Sequence, residues 1–269
     1  MKVALVTNAR DEDNILEWAV HHMELGFDHI LIIDHLSEIP ISQVLSKLPS
    51  ERVTVTRCDE PIINKMGFMI EAYNALKQSI DWNWLLYLDC DEFLVLNYDN
   101  NVKDFLKRYN YYDQLSINWL CFGTNYKNTF QGTIMENFTK SQPTLNPLVK
   151  SFINLQSTTS LNRVITPHSY QLNTTEKTIG VDYHLTGADA LYTNNIPFQA
   201  CPAYIAHYEY QSYETYIRRK IRLPRDDLCG FRQQISKEEL DKLNNDIDNY
   251  FPRDKYNENN KRLIELYKV

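Results

Sequence analysis

The sequence predicts an α/β fold: a mostly parallel sheet flanked by helices, with a C-terminal helical tail. Three observations carry this. The first hundred residues alternate short apolar runs with stretches of helical periodicity, the pattern of a parallel sheet built by crossover connections. The apolar run Trp84-Leu85-Leu86-Tyr87-Leu88 stops abruptly in Asp89-Cys90-Asp91-Glu92, as a buried strand does at a ligand crevice. Beyond residue 212 the chain turns helical, and Ser236 with Glu239 spells a capping box.

Taken in order, residues 2–7 are an apolar strand. Ile15, Leu16, Ala19, Val20 and Met23 recur at helical spacing and mark a helix over 13–25, with Asp11 or Asp13 as its cap. Residues 29–33 form a second strand closed by Asp34, 41–48 a short helix and 52–56 a third strand. Met66, Met69, Ile70, Tyr73, Leu76 and Ile80 mark a long helix that Lys65 opens, and the strand ending at Asp89 follows. A helix over 100–109 and a strand over 114–122 come next. Residues 124–205, rich in Asn, Thr, Ser and Pro, read as loops and short strands over the sheet edge. Leu240, Leu243 and Ile247 line one face of the capped helix, which Pro252 ends, and a last helix starts near Asn257. The organisation is a domain over 1–225, with a nucleotide-binding half to about 98 and an acceptor half beyond it, and a helical extension over 226–269.

Composition narrows the function. The 269 residues are 43% hydrophobic and carry a formal charge of -7. There is no basic run and no Arg/Lys stripe alternating with aromatics, which argues against nucleic acid as partner. No apolar stretch approaches a membrane-spanning length. The N-terminal stretch reads as a strand and not as a signal peptide. Five cysteines, Cys58, Cys90, Cys121, Cys201 and Cys229, are odd in number and widely spaced, without a CxxC pair. That fits reduced thiols in the cytoplasm, and it makes the sequons Asn137-Phe138-Thr139 and Asn173-Thr174-Thr175 accidental. No GxGxxG follows the first strand, which counts against a dinucleotide fold.

Two Asp separated by one residue at a strand's carboxyl end can hold a hard divalent cation through oxygen. Asp89 and Asp91 are therefore metal candidates, and such a cation would neutralise a nucleotide diphosphate. Asn8, Arg10 and Asp11 follow the first strand and sit at the crevice mouth, where Arg10 can pair with phosphate. Asp34, ending the second strand, can bind base or ribose. Lys65, at the start of its helix, can meet a phosphate there. His21 and His22 are adjacent on a helix, diverge, and read as structural; Trp18 reads as core.

In order along the chain, these motifs resemble the GT-A glycosyltransferases, specifically the glycosyltransferase 2-like and family 92 group. Asn8-Ala9-Arg10-Asp11-Glu12, Leu16-Glu17-Trp18 and Leu25-Gly26-Phe27-Asp28-His29 are similar to its opening motif. Asp34 with Ser37 resembles its D-N-x-S turn, and Asp89-Cys90-Asp91-Glu92-Phe93 its DxDEF. Trp119, Phe122-Gly123-Thr124, Glu136-Asn137-Phe138-Thr139, Lys150-Ser151-Phe152-Ile153 and His207-Tyr208 with Ser212-Tyr213-Glu214 and Lys220 resemble later elements. Asn125 and Asn154 depart from the group's pattern.

The resemblance implies a GT-A-like, Rossmann-like sheet and a metal-dependent hexosyltransferase. Its donor is a nucleoside-diphosphate sugar such as a UDP-sugar, its acceptor a hydroxyl on a glycan, glycolipid or glycoprotein, and its cofactor Mn2+ or Mg2+, with inversion. It also implies His207 as a third metal contact. For the base that takes the acceptor's proton it favours Glu136, with Asp182 and Asp189 behind it. Trp119 and Phe122 are either a sugar platform or core, and Lys150, Arg163 and His168 are further phosphate or acceptor candidates. Two other readings remain. A haloacid-dehalogenase-like phosphatase also ends a strand in DxD, but normally its first. A degenerate glycosyltransferase fold could serve as a binding module. An oligomer is compatible with either.

Overall fold

The computed structural model describes residues 1–157, 161–172, 177–186, 190–224 and 230–269. The expected alternation opens the chain: β1 (Val3–Ala9), α1 (Ile15–Glu24), β2 (His29–His35), α2 (Ile41–Val44), β3 (Val53–Cys58), α3 (Lys65–Lys77) and β4 (Trp84–Tyr87). Then come β5 (Glu92–Leu96), α4 (Val102–Lys107), β6 (Gln114–Cys121), α5 (Ile134–Asn137), β7 (Lys140–Ser141) and β8 (Asn146–Asn154). The chain continues with β9 (Leu161–Thr166), β10 (Ser169–Leu172), β11 (Thr178–Gly180), β12 (Ala203–His207) and α6 (Tyr213–Tyr216), which runs on as a π-helical turn, Ile217–Arg222. It closes with α7 (Lys237–Leu240), β13 (Ile247–Asp248) and α8 (Glu258–Tyr267).

The main sheet runs β3-β2-β1-β4-β8-β6-β12-β5, with β11 pairing the start of β6. β1 is parallel to β2 and β4, β2 to β3, and β12 to β6. Side chains alternate across the sheet with period two. Val3 and Leu5 enter the core beneath α1 and α4, whereas Ala4, Val6, Leu85 and Tyr87 enter the one beneath α3 and the β9–β10 hairpin. No helix among the described residues is long and apolar enough to cross a membrane.

Several expectations need correction. The 124–205 region does not lie only over the sheet edge. β8 enters the centre antiparallel between β4 and β6, and β12 inserts between β6 and β5. β5 (Glu92–Leu96), not foreseen as a strand, is fully buried and antiparallel to β12. The capping box at Ser236 and Glu239 forms, but its helix ends at Leu240. Asn244 turns left-handed (φ 58°), and Ile247 is drawn into a bridge with Ser141. Pro252, with helical φ and ψ, opens the following helical stretch instead of ending the previous one. Neither Asp11 nor Asp13 caps α1, whose N-cap is Asn14.

Candidate active site

The carboxyl ends of β1, β4, β6 and β12 open into one cleft of about 360 Å3. β1 runs out into Asn8 and Arg10, β4 into the Asp89–Asp91 loop. Trp119 lies on β6, His207 is the last residue of β12, and Lys65 starts α3. All of these line the cleft. Asn64 caps α3 by accepting the Gly67 N–H at 2.9 Å, which fixes the helix start that aims Lys65.

Asp89 accepts from Lys65 (2.9 Å) and from Lys150 (2.8 Å). Burial would raise its carboxyl, but these two ammonium groups hold it well below the usual range. Lys150 is fully buried in the middle of β8 and also meets Glu92 at 3.3 Å. Burial pushes Glu92 up to about 7. Glu92 accepts the Asp89 N–H at 3.0 Å and so holds the acidic loop in shape.

Asp91 accepts from Arg219 (3.1 Å) and Lys220 (3.2 Å), and faces His207 Nε2 at 3.6 Å. Its own burial opposes charge, yet Lys220 and Arg219 keep it ionised. His207 is likewise penalised by burial, but its bond to Asp91 holds the imidazole well above its ordinary value. Glu12 accepts from Arg219 Nη2 and Nε at 2.7 and 3.1 Å, sharing Nη2 with Asp91. Trp119 stands 4.2 Å from His207 and 5.2 Å from His168, ring centre to ring centre. His168 is lowered to about 4 by burial and by Lys150, and its Nδ1 meets the Val149 carbonyl at 2.9 Å. Lining carboxylates Glu12, Asp89, Asp91 and Glu209 thus face Arg10, Lys65, Arg219, Lys220 and Arg232.

Asn8, Arg10, Lys65, Asp89, Asp91, His207, Trp119 and His168 are therefore brought together as the sequence suggested. Other candidates stand elsewhere. Asp11, at φ 50°, accepts the Glu38 N–H at 2.7 Å and shapes its loop. Asp34 accepts the N–H groups of Ser37 and Ile41 and pairs with Arg57 at 3.1 Å, so it organises the turn into α2. Glu136 pairs with Lys261 on α8 at 2.6 Å and is half-exposed. Asp182 accepts from the Tyr192 hydroxyl at 2.6 Å. Neither of these two carboxylates lines the cleft, and Asp189, Cys229 and the Asn173 sequon lie outside the described residues. Phe122 is core, packed 4.6 Å from Tyr208, and Arg163 bonds Gln171. His21 and His22 are buried and carry structural bonds to Leu94 and Trp18.

Arg219, Glu209 and Arg232 join the cleft without a motif that marks them, and Glu12 joins it as the partner of Arg219. The three consecutive cations Arg218-Arg219-Lys220 are the sequence signal that points to this part of the cleft.

The donor chemistry of Asp89, Asp91 and His207, two hard carboxylates and an imidazole at one cleft, suits Mn2+ or Mg2+. As arranged, both carboxylates are engaged by protein cations, and among the described residues no cluster of three His, Cys, Asp or Glu is poised on one point. The residues fit an ion provided that those cations give way.

Residues 3–251 match the family described as Glycosyltransferase family 92. A glycosyltransferase family 92 protein of Oryza sativa subsp. japonica is 30% identical over 110 residues. Those residues are 40% of this chain and 18% of the rice protein, so the match spans under a fifth of that relative. Among solved structures, HddC from Yersinia pseudotuberculosis complexed with GMP-PN aligns over 81% of this chain and 99% of its own, at 10% identity and TM-score 0.38. The 4-diphosphocytidyl-2C-methyl-D-erythritol synthase of Anaerococcus prevotii aligns over 58% of this chain and 70% of its own, at 10% identity and TM-score 0.34.

Proposed function

This chain belongs to glycosyltransferase family 92, and from that premise we propose a metal-dependent, inverting hexosyltransferase. The donor is a nucleoside-diphosphate sugar, such as a UDP-sugar. The acceptor is a hydroxyl of a glycan, glycolipid or glycoprotein. The observation that carries the proposal is the convergence of Asp89, Asp91 and His207 on a cleft rimmed by Lys and Arg side chains. Asp89, Asp91 and His207 would hold Mn2+ or Mg2+, whose Lewis acidity eases departure of the diphosphate.

The chain's own groups supply the rest. Lys65 and Arg10 bring positive charge to the phosphates. Trp119, which also lines the cleft, offers a ring face for the apolar side of a sugar. The acceptor oxygen attacks the anomeric carbon from the face opposite the diphosphate. The bond to phosphate oxygen breaks, and the hydroxyl proton passes to a carboxylate. We assign that base to Glu209 in place of Glu136 and Asp182. It lines the cleft, pairs with the half-exposed Arg232 at 3.0 Å, and is held ionised, against its burial, by Lys220 and His207. The described cysteines Cys58, Cys90, Cys121 and Cys201 are unpaired, in keeping with a cytoplasmic setting as part of the proposal.

The test is calorimetric titration of a panel of nucleotide sugars with Mn2+, on wild type and Asp91→Ala. One donor should bind only with metal, and the variant should lose it. A folded wild type that binds no donor would sink the reading. Binding without turnover or donor hydrolysis would leave a binding module.

A further inference from the structure

Asp91 is oversubscribed. Its two oxygens serve His207, Arg219 and Lys220 together, within 3.1 to 3.6 Å. A divalent ion on Asp91 would compete with these cations for the same oxygens. A displaced cation in so buried a place needs another anion, because an uncompensated buried charge is strongly destabilising.

The cleft already asks for one. Arg219, 7% exposed, spends its Nε and Nη2 edge on Glu12 and Asp91, while its Nη1 is buried without an acceptor. Arg10 Nε and Trp119 Nε1, on residues of the same cleft, are also buried donors without acceptors among the described residues. Orphans that are all donors call for a ligand rich in acceptor oxygen, and phosphate oxygens accept without donating. Arg219 and Lys220 both stand on the π-helical turn Ile217–Arg222, a geometry that often marks functional sites.

We propose that Arg219 and Lys220 are exchangeable counter-cations: they hold Asp91 in the free protein and turn to diphosphate oxygens when a divalent ion takes Asp91. This rests on the donor reading above. It requires two ligands to respond to one substitution with opposite signs. Loss of Lys220 removes a phosphate contact, and the same loss removes the metal's competitor.

The experiment is calorimetry on the full chain with two probes, MnCl2 alone and inorganic pyrophosphate alone in chelator-treated buffer. In Lys220→Gln the pyrophosphate Kd should rise about tenfold, as for one lost charge-assisted bond. The Mn2+ Kd should fall severalfold. Arg232→Gln removes a cleft cation that does not touch Asp91 and controls for net charge; its Mn2+ Kd should move less. Arg219→Lys keeps the charge beside Glu12 but loses the fork, so it should weaken pyrophosphate and serves if Lys220→Gln does not fold. The exchange is overturned if both ligands weaken together, if Mn2+ is indifferent to Lys220, or if Arg232→Gln gives the same gain. A wild type that binds neither probe would overturn the donor reading as well.

Discussion

Lys150 is a fully buried ammonium in a central strand, and it survives there because Asp89 and Glu92 both face it. Its burial opposes the charge, yet the two carboxylates raise its pKa. Replacing it by Met of similar length leaves those carboxylates buried without their cation, which should destabilise the protein by about 3–5 kcal/mol. Urea denaturation measures this. Adding Glu92→Gln should restore part of the loss, because the second substitution removes one of the stranded acids. A second residue-scale expectation separates chemistry from binding. Glu209→Gln should lower kcat by roughly 10^2 to 10^4 while leaving donor affinity near wild type, as for loss of a general base. Glu136→Gln, paired with Lys261 away from the cleft, should leave kcat unchanged. Steady-state kinetics on the donor found by titration decides both, and a kcat that falls only for Glu136→Gln would return the base to the position the motif order favours.

Helix α5 has only the four residues Ile134–Asn137 and depends on its cap. Glu17, on α1, accepts the Ile134 and Met135 N–H groups at 2.6 and 3.2 Å, and burial raises its carboxyl from 4.5 to about 7. The folded state therefore keeps a proton that the unfolded chain gives up between those values. Stability attributable to Glu17 is fullest below 4.5 and falls as pH rises to about 7, by on the order of 3 kcal/mol. Glu17→Gln retains one acceptor and cannot ionise, so its urea midpoint should gain on wild type between pH 5 and pH 8. A difference constant with pH would refute the assignment. Glu17 also shows what the sequence conceals. Its helix was legible from periodicity, as were β1 to β4 and α3, but its carboxylate's partner lies 117 residues away. The same holds for β5, which follows the acidic loop directly and is buried on both faces, and for the place of β8: Lys150-Ser151-Phe152-Ile153 resembles a strand of the family, but its insertion between β4 and β6 is set by the fold. The acidic pair was readable because strand and carboxylates are contiguous. Arg219 reaches Asp91 across 128 residues, and only the fold brings them together.

At the scale of the molecule, the question is whether the last forty residues are a separable module, and their contacts argue that they are not. Tyr256 donates to the Leu96 carbonyl at 3.1 Å, accepts the Leu96 N–H at 3.0 Å, and stands edge-on to His21 at 4.9 Å. Asn260 is 1% exposed, and Leu263, Ile264 and Tyr267 pack against the main core. On the other side, Asn245 caps the turn after β6 by accepting the Asn125 N–H at 2.9 Å. It sits so near Gly123 that a Cβ there would approach its Oδ1 to 2.4 Å. Leu263, Ile264 and Tyr267 are each partly buried and so contribute less than the roughly 1.5–3 kcal/mol of a fully buried apolar side chain, but with the Tyr256 bonds their loss is a sizeable fraction of a domain's stability of about 5–15 kcal/mol. The full chain should therefore melt in one calorimetric transition. A chain ending at Pro252 should lose on the order of 5 kcal/mol, enough to leave it partly unfolded at 25 °C, and Gly123→Ala should lower the melting temperature by forcing Asn245 away. Two resolved transitions in the intact protein, or a truncated chain that melts like wild type, would instead make the tail an independent unit. Because Tyr256 grips the end of β5, and β5 begins at Glu92 beside the acidic loop, truncation should also weaken Mn2+ binding, coupling the tail to the site at the far end of the same strand.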